Sequence, residues 1–195
     1  MKKYSVLFAT FLFITMCSSC VNDNNSYKKP YKPGINLNEE AFQEHKKLWA
    51  ETSIKDYSYT YSYYNDLYPC ENCVIDVIVR NGEVSEYMVK EFDKTLVSEI
   101  PESNLGAYED FLTGLERFKD SLLIENVYST ITKYIEESLR DIEEYPDCYY
   151  ANYEFDFSEK SPFMHTCIFT TKLMQEGLVG DGASIEIKIE NFRED

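Results

Sequence analysis

Cys70-Glu71-Asn72-Cys73 is the stretch of this 195-residue chain whose spacing offers chemistry most directly. Two thiols held two residues apart can cycle between dithiol and disulfide, provided that a helix N-terminus stabilises the attacking thiolate. Here Cys73 leads instead into a Val-Ile-Val run that reads as a strand. The pair is therefore expected to be a static loop disulfide, with a thiol–disulfide protein using Cys70 and Cys73 as an alternative. Cys17 and Cys20 belong to an N-terminal export signal, so Cys148 and Cys167 are the remaining thiols. Four thiols outside the cytosol point to two disulfides. A turn at Ser158 to Ser161 would set Cys148 opposite Thr171, four residues or about 13 Å from Cys167. A Cys148–Cys167 bond then requires a bulge, or a strand that starts late. A four-cysteine zinc site would repeat a close pair, which these two do not form.

Other candidate chemistry is sparse. Two histidines in the whole chain leave little room for histidine catalysis, and His45 falls within an apolar helical stripe, as a core-edge ring with one nitrogen satisfied. Glu136, Glu137, Asp141, Glu143 and Glu144 read as the solvated flank of a helix. Glu154, Asp156, Glu159 and Asp181 lack the loop pattern of a calcium site. No nucleotide fingerprint or Ser-His-Asp grouping is present, and no cofactor is implied. Tyrosine is the compositional excess: seventeen, beside twelve Phe and one Trp. Tyr57, Tyr59, Tyr61 and Tyr63 alternate with Ser58, Thr60 and Ser62, so they share one strand face. If that face is the core, they are packing, with hydroxyls reaching water at the rim. Tyr64, Tyr68, Tyr149 and Tyr150 are the candidates for an exposed, amphipathic binding surface.

The elements that must position these residues follow from periodicity. Asn36 or Asn38 caps a helix to about Glu51, with Phe42, His45, Leu48 and Trp49 on one face. Three strands come next, near 57–63, 73–80 and 83–92, and Asn81-Gly82 marks a type I′ hairpin between the last two. Tyr108 to Phe118 and Val127 to Ile142 mark two amphipathic helices, the latter closed by Pro146 and Asp147. Three further strands lie near 149–157, 163–171 and 184–192. Helix, three strands, helices, three strands predicts a single α+β domain: an antiparallel, meandering sheet of about six strands under two to three helices.

The N-terminus carries an address. Lys2 and Lys3 precede an apolar run, Val6 to Met16, too short to span a bilayer. Ser18, Ser19 and Cys20 follow, an arrangement that resembles the bacterial lipoprotein signal with Cys20 as the lipidated residue. It departs from that pattern in having Cys17 where Leu is preferred. The expected organisation is a signal at 1–19, a lipidated flexible tether at 20–37 and the α+β domain at 38–195. Losing Lys2 and Lys3 takes the formal charge from −16 to −18. Such a chain does not read nucleic acid, which demands cationic excess.

A second resemblance rests on Trp49, Asp56-Tyr57-Ser58-Tyr59, Cys70 with Cys73, Val79-Arg80-Asn81-Gly82-Glu83-Val84, Tyr153 and Pro162. Together these are similar to the bacterial family called domain of unknown function 6174, from about Ala41 to the C-terminus. The chain departs from it at Tyr153-Glu154 and Lys160-Ser161-Pro162. The resemblance implies a small envelope domain and brings no activity with it. The functional expectation is thus a non-catalytic lipoprotein of the bacterial cell envelope. It would be held to a membrane by its lipid, face the extracytoplasmic side (at the outer membrane where one exists) and bind an envelope protein or glycan. The alternative from another class is a glycan-processing enzyme with two carboxylates facing across a cleft.

Overall fold

A computed structural model describes residues 33–66, 72–157, 162–175, 178–179 and 183–195. Among them, nine strands and three α-helices alternate in the order β1 (Gly34–Asn36), α1 (Glu39–Glu51), β2 (Tyr57–Asn65), β3 (Cys73–Arg80), β4 (Glu83–Phe92), β5 (Thr95–Leu96), α2 (Leu105–Arg117), α3 (Ile124–Glu144), β6 (Tyr149–Phe157), β7 (Met164–Gln175), β8 (Leu178–Val179) and β9 (Ser184–Glu194). Among the described residues, no helix is long and apolar enough to cross a membrane.

Local sequence accounts for most of these boundaries. Asn38 caps α1, its side-chain oxygen accepting from the Ala41 amide at 3.2 Å. Asn81 and Gly82 both take positive φ, 53° and 78°, the pair of angles that a two-residue hairpin between right-twisted strands needs. Asp56 fixes this turn from outside, its carboxylate accepting from the Asn81 amide at 2.9 Å. Asn191, at φ 55°, sits where the β2–β9 register shifts. The bulge changes the phase of β9, so Phe192 returns to the inner face after Glu190 and packs on Tyr57 and Phe163.

The sheet corrects the expected meander of six strands. Eight strands lie side by side in the order β1-β6-β7-β9-β2-β3-β4-β5, and β8 pairs with β7 off this path. The C-terminal strand β9 inserts against β2, joining β2-β3-β4 to β6-β7-β9 through a long-range antiparallel pairing. The sheet is also mixed, because β1 runs parallel to β6. Gly34–Asn36 therefore belongs to the sheet rather than to the expected tether, as an edge strand in register with Tyr150–Asn152. The added strands β1, β5 and β8 are two or three residues long, too short to show a period.

All three helices pack on one sheet face. Phe42 and Trp49 of α1 reach Phe155, Tyr57 and Phe163. Ile131 and Ile135 of α3 join Ile75, Val77, Ile187 and Ile189 in a continuous core. Helix α2 rests Tyr108 and Phe111 on Phe92 and buries no residue fully. Because β2 runs antiparallel to β6 in one sheet, while both halves keep their helices on the same face, the two helix–strand halves are not shifted copies of one unit.

Candidate functional site

The face of the sheet away from the helices is open. Period two along β2 sends Tyr57 and Tyr59 inward and leaves Ser58, Thr60, Ser62 and Tyr64 on the open side. Cross-strand register extends this row, with Tyr64 opposite Glu186, Glu186 opposite Ile168 and Ile168 opposite Glu154. A neighbouring row carries Ser62, Lys188, Thr166 and Asp156. Hydroxyls, amides and paired charges dominate. Asp76 accepts from Thr60 at 2.9 Å and pairs with Lys90 at 3.1 Å. Asn36 donates to Asn152, which donates to Glu154 at 2.8 Å, a polar chain across β1 and β6.

A shallow cavity of about 290 Å³ opens at one end of this face, lined by Tyr64, Asn65, Asp66, Lys94, Ile168, Ser184 and Glu186. Backbone geometry builds it. The Asp66 carboxylate accepts from the Ser184 amide at 2.6 Å, and the Asp66 amide donates to the Ser184 carbonyl. Asn72, fully buried, accepts from the Asn65 amide at 2.5 Å and receives the Asp93 amide on its carbonyl. Asp93 and Lys94 both take positive φ, 49° and 60°, in the turn between β4 and β5. Two successive left-handed non-glycine residues are costly, and the hydrogen bond to Asn72 helps hold that turn.

The cavity carries charge of both signs. Lys188 approaches Glu186 at 3.0 Å, and this hydrogen bond raises the lysine's pKa. The lining itself holds the Lys94 ammonium beside the carboxylates of Asp66 and Glu186, and Lys188 is not part of it. Burial against the sheet raises the Tyr64 phenol, with Glu91 acting in the same direction and Lys188 opposing it. The ring is therefore a neutral, amphipathic plate, half-buried, at the cavity wall.

The four tyrosines singled out by sequence do not form one surface. Tyr64 lines the cavity. Tyr149 points to the helix layer, where it is 8% exposed and its hydroxyl lies 3.4 Å from Ser138. Tyr150, its neighbour, faces the open side opposite Lys172. It lies three strands from Tyr64 and four residues along, about 19 Å away. Tyr68 lies outside the described residues, as do Cys20, Cys70, Glu159 and Asp181. Among the described residues no group of three potential ligands gathers for a metal ion.

The Cys148–Cys167 disulfide is corrected. Both residues are thiols. The register shift at Asp156/Phe157 places Cys167 opposite Phe155 and Tyr149 opposite Leu173. Cys148 is thus seven residues out of register with Cys167, about 23 Å, far beyond the reach of a disulfide. Cys148 is half-exposed and Cys167 is 2% exposed, its thiol pushed up to about 12 by burial. Cys73 is buried in β3 opposite Tyr63. His45 stacks on Phe157 at 4.0 Å, as a core-edge ring should, and its buried Nδ1 has no hydrogen-bond partner among the described residues.

Sequence reasoning missed Asp66, Lys94, Ser184 and Glu186 as neighbours of Tyr64. One signal was present: Tyr64 breaks the Tyr/Ser alternation and falls in the phase of Ser58, Thr60 and Ser62. No family model, curated protein or solved structure matches the chain.

Proposed function

We propose that the chain is a non-catalytic binding module of the bacterial cell envelope, anchored by lipid on Cys20, with the open sheet face around Tyr64 as its recognition surface. The observation that carries this reading is the contrast between the two faces. Three helices cover one side, while the other holds an ordered polar surface with an aromatic ring in its cavity. Lipid attachment would confine that surface near its partners and raise their effective concentration. The signal-like N-terminus is the sequence feature that supports an envelope address.

A glycan-processing reading draws on one observation: Asp66 and Glu186 line the same cavity. A hydrolase needs one carboxyl free to carry a proton and a second free to attack or to activate water. Here Asp66 is engaged by the Ser184 amide and Glu186 by Lys188, which favours binding over turnover. Two experiments test the proposal. Cys20→Ala should release the protein from membranes, and a wild-type protein that is already soluble overturns the anchor. Crosslinking in intact cells should recover a partner that Tyr64→Ala loses. Hydrolysis of a glycoside substrate, abolished by both Asp66→Asn and Glu186→Gln, would replace binding with catalysis.

A further inference from the structure

We infer that the Tyr64 cavity takes a neutral saccharide, seated with its C–H face on the Tyr64 ring and its hydroxyls on Asp66, Glu186, Lys94 and Ser184. The inference rests on the binding-module reading and names the class of ligand.

Three observations lead to it. First, the two carboxylates of the lining are each already engaged, Asp66 by the Ser184 amide and Glu186 by Lys188, and they stand beside the Lys94 ammonium. A ligand of either charge would meet a group of its own sign there, whereas a neutral ligand meets donors and acceptors of both kinds. Second, the wall combines one aromatic ring and the aliphatic Ile168 with groups that donate and accept hydrogen bonds. Ligand pockets are built on this mixture, with apolar area for contact and few polar groups for orientation. A pyranose ring matches it, since its axial C–H bonds make an apolar face and its equatorial hydroxyls radiate in the ring plane. Third, the cavity lies near the lower bound of about 300 Å³ for ligand pockets, room for one or two sugar rings.

The surroundings favour a saccharide over a protein. Hot spots at protein interfaces are desolvated clusters rich in Trp, Tyr and Arg, in which Ser and Thr are under-represented. Beside the cavity, the half-buried Thr166 and Thr170 flank Ile168 on β7. A hydroxyl-bearing surface suits a ligand whose own periphery is hydroxyl.

Saturation-transfer NMR on the full chain tests this with chitotriose and cellotriose, both neutral and equatorially substituted, and with trigalacturonate as the acidic counterpart. At least one neutral trisaccharide should receive saturation, strongest at its axial C–H protons. Tyr64→Ala should weaken its binding by about tenfold or more, Tyr64→Phe should hold it within about twofold, and Tyr145→Ala, an exposed tyrosine of the helix layer, should leave it unchanged. Unchanged thermal unfolding of Tyr64→Ala confirms that the loss is local. The inference falls if neither neutral trisaccharide receives saturation, if Tyr64→Ala binds as wild type, or if trigalacturonate binds more tightly. If saccharides fail while Tyr64→Ala still loses its crosslinked partner in cells, the saccharide is wrong and the binding module stands. If both fail, both readings are overturned.

Discussion

Strand β2 presents two faces that differ in composition and surroundings, tyrosines inward and Ser58, Thr60, Ser62 and the single Tyr64 outward. Inward, Tyr57 and Tyr59 are 2% and 3% exposed, and their neighbours are rings and the start of α3. Outward, one residue out of phase, Tyr64 borders solvent at a cavity. Tyr59 does not send its hydroxyl to water at the rim, contrary to the expectation from its strand pattern. Tyr59 donates to the Leu122 carbonyl just before α3, and Tyr153 shares Ser138 with Tyr149. Elsewhere in the same layer Tyr128, on α3, accepts from the Met164 amide at 2.9 Å. Each hydroxyl thus satisfies a group that burial would otherwise leave unpaired. What sets Tyr64 apart from the packing tyrosines of β2 is strand parity.

The largest test of that contrast is on the inner face. Trp49 meets Tyr57, Phe163 and Phe192 edge-on, closing the core at the end of α1. Trp49→Ala should cost about 3–5 kcal/mol through the cavity it leaves. At about 2–4 °C per kcal/mol, its thermal midpoint should fall by roughly 6–20 °C. Calorimetry measures this directly. A loss below about 1 kcal/mol would mean that the aromatic cluster does not hold α1 to the sheet.

Alkaline pH tests the same layer without mutation. Burial raises the Cys167 thiol from 9.0 to about 12 and the Tyr149 phenol from 10.0 to about 12, and raises the phenols of Tyr57, Tyr59, Tyr128 and Tyr153 further. The folded state holds these groups neutral, whereas the unfolded chain ionises them from about pH 9 upward. Their contribution is therefore complete below pH 9 and is lost as pH rises from there, up to about pH 12 for Cys167 and Tyr149 and beyond it for the others, each tenfold difference in proton affinity between the two states being worth about 1.4 kcal/mol. Denaturant midpoints should decline over that window, and Cys167 should alkylate no faster than the protein opens. Rapid labelling of Cys167 in the folded protein at pH 8 would contradict its placement.

A smaller loss is expected at Ser138, a serine 1% exposed in the middle of α3. Its hydroxyl lies 2.8 Å from that of Tyr153 and 3.4 Å from that of Tyr149. Ser138→Ala removes the shared partner and should cost about 1–3 kcal/mol. Tyr153→Phe in the same background should then cost little more, because the two residues act through one bond. Additive losses in a double-mutant cycle would show that the bond contributes nothing.

These elements also show what the sequence made legible. The six long strands and three helices announce themselves by period, and Asn38, Asn81-Gly82 and Pro146 mark their ends. Sheet order did not, because pairing β9 with β2 is a long-range event with no local signature. The edge strands β1, β5 and β8 were silent for their brevity. At the site, Tyr64 was visible and its partners were not. Asp66, Lys94 and Glu186 come from three separate segments, and only the register of β2 with β9 and the turn at Asp93-Lys94 bring them to one wall. Tyr149 and Tyr150 cannot share a surface, since adjacent strand residues must face opposite layers. Cys148 and Cys167 were already four residues apart at the expected register, and the later turn and the shift at Asp156/Phe157 widen that gap to seven.

The smallest effect on stability is expected where the effect on recognition is largest. Tyr64 borders solvent, and no core residue depends on its ring. Tyr64→Ala should therefore change unfolding free energy by no more than about 0.5 kcal/mol, the usual range for surface positions. Tyr59→Ala, five residues earlier on the inner face, removes a buried ring and its bond to Leu122 and should cost about 3–5 kcal/mol. Equilibrium denaturation of the two variants side by side measures the gap. A Tyr64→Ala loss above about 2 kcal/mol would place the ring among the packing tyrosines and remove the reason to assign it to recognition. A stable Tyr64→Ala that no longer captures its ligand would leave one reading of this strand: the inner tyrosines build the domain, and the outer one is what it presents.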